Sequence, residues 1–183
     1  NIVNTPAALI AATNETLRMC DISLTMLQNS FRAFITGDQE LMEDVLAKEE
    51  TINKLEREIV SYLTAAADNP WTTKQHQKIT GLLHSAHDVE RVADLSTNIV
   101  ELAQARIKHH VSLSDKAVEE LETMFAKVES IYSRAIEVLR TEQIQAAENL
   151  IAEDDEVDRM EKQFRDSHIN RLNEGKCHPE AGV

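Results

Sequence analysis

Aromatic residues are scarce in this chain of 183, at 4%, and it has only four glycines and three prolines. A sheet protein of that length needs turn residues to reverse its strands, and β-branched and aromatic side chains to pack them. The shortage excludes an all-β fold. Cysteine is nearly absent too. Cys20 and Cys177 lie far apart and no CxxC occurs, which excludes a disulfide framework and fits a reducing compartment. No run of about 18 apolar residues is present, so nothing reads as a membrane-spanning helix. The opening "NIVNTPAALIAATNETLRMC" lacks the basic start of a secretory signal. A cytoplasmic address is expected.

Positive charge is also short. Nineteen Lys and Arg stand against 32 Asp and Glu, for a net charge of −13. Phosphate-rich nucleic acid and anionic lipid would both be repelled. The recurrent catalytic patterns are missing as well. There is no Gly-rich phosphate loop, no GxSxG elbow, no HExxH and no ExxH. The chain reads as a non-enzyme, with a metal-dependent enzyme or metal store as the least favoured alternative.

What is present is helix-forming sequence: Ala, Leu, Glu, Lys and Gln dominate. Start and stop signals divide it into five helices, near 5–36, 38–67, 72–110, 114–140 and 142–174. Thr5-Pro6 places a cap before a proline at the first helical position. Asp38 follows Gly37, Thr72 with Gln75 forms a capping-box pattern, Ser114 and Thr141 are further caps, and Gly175 closes the last helix. Trp71 is expected to anchor a helix entry. In the third helix Ile79, Leu82, Leu83, Ala86, Val89, Ala93, Ile99, Val100, Ala103 and Ile107 keep 3–4 spacing. The fold class is therefore all-α, an elongated antiparallel helix bundle forming one domain over 1–183.

The chain also repeats itself. Displaced by 105 residues, "TGDQELMEDVLAKEETINKLE" from Thr36 lies on "TEQIQAAENLIAEDDEVDRME" from Thr141. Ile52 meets Val157, Lys54 meets Arg159, Leu55 meets Met160 and Glu56 meets Glu161. Helices one and two thus correspond to helices four and five. A twin of helix three would begin near residue 178, where little chain is left. Two three-helix units are expected, repeat one over 1–110 and a truncated repeat two over 114–183 that lacks its sixth helix. An open apolar groove in the second unit predicts self-association.

Acidic residues recur at helical spacing. On helix three His87, Glu90, Asp94 and Glu101 share one stripe, with Asn98 beside it. Like charges one turn apart, as at Glu90 and Asp94, cost a helix roughly 0.2–0.5 kcal/mol unless something answers them. On helix two Glu49 and Asn53 are four apart, and on helix five Asp154 and Asp158 are four apart. Carboxylates so placed on adjacent helices can converge on a hard cation such as Mg²⁺, Ca²⁺, Mn²⁺ or iron. A solvated acidic face with ion pairs from Arg91, Lys48, Lys54 and Arg57 is the commoner explanation of such spacing. His109-His110 reads as a favourable helix-end charge.

These residues carry a family likeness. "ERVADLSTNIVELA" resembles the signature ER-x-x-D-x-x-x-N-I-x-E of PhoU-like proteins, filled here by Glu90, Arg91, Asp94, Asn98, Ile99 and Glu101, with Leu95 where the family has His. "VLAKEETINKLEREI" resembles the family's D-x-x-x-D helix, with Glu49 and Asn53 in those places. "AEDDEVDRMEKQFRDSHINRLNEGKCHPEAGV" resembles the matching helix of the second repeat. The likeness is nearest to the soluble C-terminal PhoU-like region of bacterial sodium/phosphate cotransporters. It implies two pseudo-symmetric three-helix bundles and regulation of phosphate uptake beside a membrane transporter domain, at the inner face of the plasma membrane. It also implies a divalent or iron cation, with Glu90, Asp94, Glu49, Asp154 and Asp158 as its ligands. A free-standing adaptor between a phosphate transporter and a sensor kinase is the alternative.

Overall fold

The computed structural model describes residues 5–66 and 70–152, and the described residues form four helices with no strand among them. They are α1 (Thr5–Thr36), α2 (Gln39–Ala66), α3 (Thr73–Lys108) and α4 (Asp115–Ala152). The all-helical expectation holds. The 36 residues of α3 span about 54 Å at 1.5 Å each, so the bundle is elongated.

The breaks fall where backbone chemistry puts them. Gly37 takes φ +74, a conformation that costs other residues more. It ends α1 with its N–H on the Ala33 carbonyl at 2.8 Å. Asp38 then caps α2, its carboxylate accepting from the N–H groups of Glu40 at 2.9 Å and Leu41 at 3.3 Å. Thr72 and Gln75 form the expected reciprocal box at the start of α3, and the Ser114 hydroxyl accepts from Ala117 N–H at 3.1 Å. Trp71 is buried, its indole N–H donating to the Ala66 carbonyl. It fastens the entry of α3 to the end of α2.

One expected break is absent. Thr141 does not start a new helix, because α4 runs through it to Ala152. Its hydroxyl donates to the Glu137 carbonyl one turn back, at 2.8 Å, a bond a helix-interior threonine makes without ending the helix. Gly37 supplies the turn between α1 and α2, and the residue 105 positions on is Glu142, a helix former with no freedom at positive φ. The remainder of the fifth expected helix, with Asp154 and Asp158, lies outside the described residues.

α1 packs on α2, α3 and α4, and α2 packs on α3. The core runs through Met19, Met26, Met42, Val45, Ile52, Leu63 and Val100, all fully buried. The apolar stripe expected on α3 is buried or half-buried throughout. α3 also buries Ser85, Asp88, Ser96 and Thr97. Ser96 and Thr97 satisfy their hydroxyls on the carbonyls one turn back. α4 reaches α1 through apolar and polar contacts together. Phe125 stacks on Phe31 with centroids 4.0 Å apart, and Ile136 and Leu139 enter the core. Gln28 donates to Glu129 at 2.7 Å and Arg140 to Asp21 at 2.6 Å. Arg106 braces this end of the bundle. It donates to the Phe34 carbonyl at 2.7 Å and the Val111 carbonyl at 3.3 Å, and lies over the Phe34 ring. The outer side of α4 leaves Met124, Val128 and Ile131 exposed.

Candidate functional site: an acidic face shared by two helices

α2 and α3 run antiparallel, so each turn onward along α2 meets an earlier turn of α3. Glu49, Asn53 and Glu56, at offsets of four and three, share a stripe of α2. Opposite them is the α3 stripe of His87, Glu90, Asp94 and Glu101. The apolar side chains that direct both stripes outward are Ile52 and Leu55 on α2 and Val89 and Ala93 on α3, all buried. The site residues sit at the margin of that core. Glu49, Glu56 and Glu90 are half-buried, while His87, Asp94 and Glu101 are exposed.

Two groups of contacts result. Asp94 lies close enough to Glu90 on its own helix and to Glu49 across the interface to raise both carboxyls, and Thr97 lies close enough to Glu49 to oppose that rise. Two turns further along α2, Glu56, His87 and Glu90 each bring a ligand atom within 4.8 Å of the others. A row of acids on a desolvated margin pushes its own protons on. The Glu90 carboxyl is pushed up to about 7, first by burial and then by Asp94, Glu56 and Glu49. Burial also raises Glu49, with Asp94 and Glu101 adding to it and Thr97 opposing. Burial raises Glu56 against the pull of His87 and Arg57. The lysines that flank the α2 stripe turn to other acids: Lys48 to Asp44 at 2.6 Å and Lys54 to Glu58 at 3.9 Å.

Of the five residues expected as ligands, Glu90 is in the group with Glu56 and His87, and Asp94 and Glu49 lie near enough to raise its carboxyl. Asp154 and Asp158 lie outside the described residues. The structure adds Glu56, which sequence reasoning missed, and draws in His87. The signal for Glu56 was available, since it lies seven residues after Glu49 on the same stripe. Two carboxylates and an imidazole form a donor set for a divalent cation. Cys20 offers no comparable chemistry. It is buried, and burial, reinforced by Asp21, pushes its thiol up to about 12, which leaves it protonated and unreactive.

Comparison with known proteins places this geometry in context. The model of the PhoU domain matches residues 16–103 and 121–182, and the first segment contains every residue of the acidic face. A phosphate-specific transport system accessory protein PhoU homolog 1 from Thermotoga maritima is 31% identical over 163 residues, covering 86% of this chain and 67% of the relative. A phosphate-specific transport system accessory protein PhoU homolog from Clostridium acetobutylicum is 23% identical over 168 residues, covering 89% of this chain and 74% of the relative. Neither relative is by name a part of a cotransporter. No solved structure matches. Among the described residues no helix is long and apolar enough to cross a membrane.

Proposed function

The chain belongs to the PhoU domain family, and from that premise we propose that it regulates inorganic phosphate transport by binding rather than by catalysis, with a cation on the α2/α3 face. The observation that carries the reading is the similarity to a phosphate transport accessory protein along 86% of the chain. The acidic face lies within the matched part. The partner in this reading is a membrane transport system, met at the inner face of the plasma membrane.

Glu56, His87 and Glu90 would hold the cation, with Asp94 and Glu49 beside it. The ligand atoms of Glu56, His87 and Glu90 lie within 4.8 Å of one another, and the raised Glu90 carboxyl marks negative charge that a cation would answer. A bound cation supplies charge neutralisation there. When bound it would displace a proton from Glu90 and link α2 to α3 through these residues. The protein's own contribution is to hold three donors from two helices on one rigid margin.

Both relatives are named as accessory proteins, which favours an adaptor between a transporter and a sensor kinase. The second form of the reading is a regulatory domain of a sodium-dependent phosphate cotransporter, supported by the likeness of the α3 signature and of the sequence over 152–183. Deleting the coding segment and following uptake of labelled phosphate at low and high external phosphate tests both. A change in uptake or in its dependence on external phosphate is expected, and unchanged uptake at both concentrations contradicts the reading. Repeating the experiment in sodium-free medium separates the two forms.

A further inference from the structure

A second surface lies on a different side of α2 from the acidic stripe. The first half of α1 and the second half of α2 leave a trough of about 310 Å³ between them. Ala12 and Ile59, both buried, form its floor, and Tyr62, 40% exposed, stands at its edge beside Ala11. The two alanines keep the α1 side low, and that opens the trough. Leu55 and two acids, Glu15 and Glu58, complete the lining. The acids are exposed. Their side chains are 47% and 59% accessible, and each has only a loose ion pair on its own helix, to Arg18 at 3.6 Å and Lys54 at 3.9 Å. Exposed pairs of that kind are weak and exchange partners readily.

We propose that the α1/α2 trough is a docking site for one amphipathic helix that carries basic residues beside its apolar face, from the cytoplasmic flank of a membrane protein. The lining selects that occupant. Its apolar floor has nothing to offer a free phosphate ion. Its acidic rim, on a chain of net charge −13, repels anionic lipid and nucleic acid. A second copy would bring another net charge of −13 against it. A groove between two helices is shaped to take a third, whose side chains at i, i+3 and i+4 fill it. Cytoplasmic segments beside membrane spans carry an excess of Lys and Arg, and these would meet the two glutamates. The choice of a membrane protein as the source rests on the phosphate transport reading above.

A fluorescent amphipathic peptide of leucine and lysine, about five helical turns long, tests the trough directly. Titrated with the full chain at physiological salt and followed by anisotropy, it is expected to bind one to one. The same peptide with glutamate in place of lysine should not bind. The double variant Glu15→Lys, Glu58→Lys should weaken the leucine–lysine peptide by about tenfold or more, and Tyr62→Asp should weaken it as well. A control with the same charge change on α4, Glu119→Lys with Glu120→Lys, both exposed, should change affinity by less than about twofold. Equal weakening by the two double variants means that net charge alone attracts the peptide and overturns the proposal. So does absence of binding, whether because a second copy or residues 153–183 fill the trough or because nothing docks there. If the peptide fails while deletion of the chain still alters phosphate uptake, the trough is wrong and the transport reading stands. If the peptide binds as expected and uptake is unchanged, the reverse holds.

Discussion

Glu90 and Asp94 stand one helical turn apart on α3, and after burial Asp94 is the largest influence that raises the Glu90 carboxyl. A carboxyl so placed takes up a proton more readily than a free one. The repulsion in the sequence thus favours the neutral form of Glu90, and the same place is where a cation would compete with a proton.

Glu90 ties stability to pH. Its carboxyl is pushed up to about 7 in the folded chain, from an ordinary value of 4.5. Between those values the folded state holds more protons than the unfolded one, so stability falls as pH rises through this window. The contribution is fully present below the ordinary value and is lost as pH passes about 7. The metal-free protein should melt at a lower temperature at pH 8 than at pH 5, and Glu90→Gln should flatten that fall. Melting curves across the range check it. An equal slope in the variant contradicts the assignment.

A half-buried polar link joins α1 and α4. The Ser23 and Tyr132 hydroxyls lie 2.5 Å apart, and burial holds the Tyr132 hydroxyl well above the usual tyrosine range. Ser23 keeps its bond to the Cys20 carbonyl without its partner. Tyr132→Phe should therefore cost only about 1 kcal/mol. Urea unfolding measures it, and a loss of several kcal/mol would mean that the hydroxyl supports more than this pair.

Gly37 is a backbone requirement rather than a packing one. A Cβ there would meet Ile107 Cδ1 at 3.5 Å, an ordinary contact, but φ is +74. Gly37→Ala should destabilise by about 1–2 kcal/mol from the left-handed conformation alone. Gly37→Asn, which tolerates that region better, should lose less. Equal losses for both in chemical denaturation would point to crowding instead.

The legible and the illegible parts of the sequence differ for physical reasons. The caps at Asp38, Thr72 and Ser114 could be read because each is a local bond between residues two or three apart. The α3 core could be read because its 3–4 spacing outlasts any single substitution. Thr141 misled because a threonine can cap a helix or sit inside one, and the turn residue that decides between them, glycine at 37 and glutamate at 142, lies one position on. The expected repeat carries the same ambiguity: Met26 is fully buried, and Ile131, 105 residues on, is 41% exposed. At the acidic face, each stripe could be read along its own helix. The pairing of Glu56 with His87 and Glu90 could not, because it depends on how far α2 slides along α3, which is set by packing between residues distant in sequence.

The acidic face is tested most directly by titrating Mn²⁺, a hard cation visible to electron paramagnetic resonance, into the full chain above pH 7. The account predicts saturable binding that weakens by about tenfold for each proton displaced per unit fall in pH. Glu56→Gln with Glu90→Gln, folded by circular dichroism, should abolish it. Mn²⁺ that binds the double variant as well as the wild type, or binds neither saturably, contradicts the site.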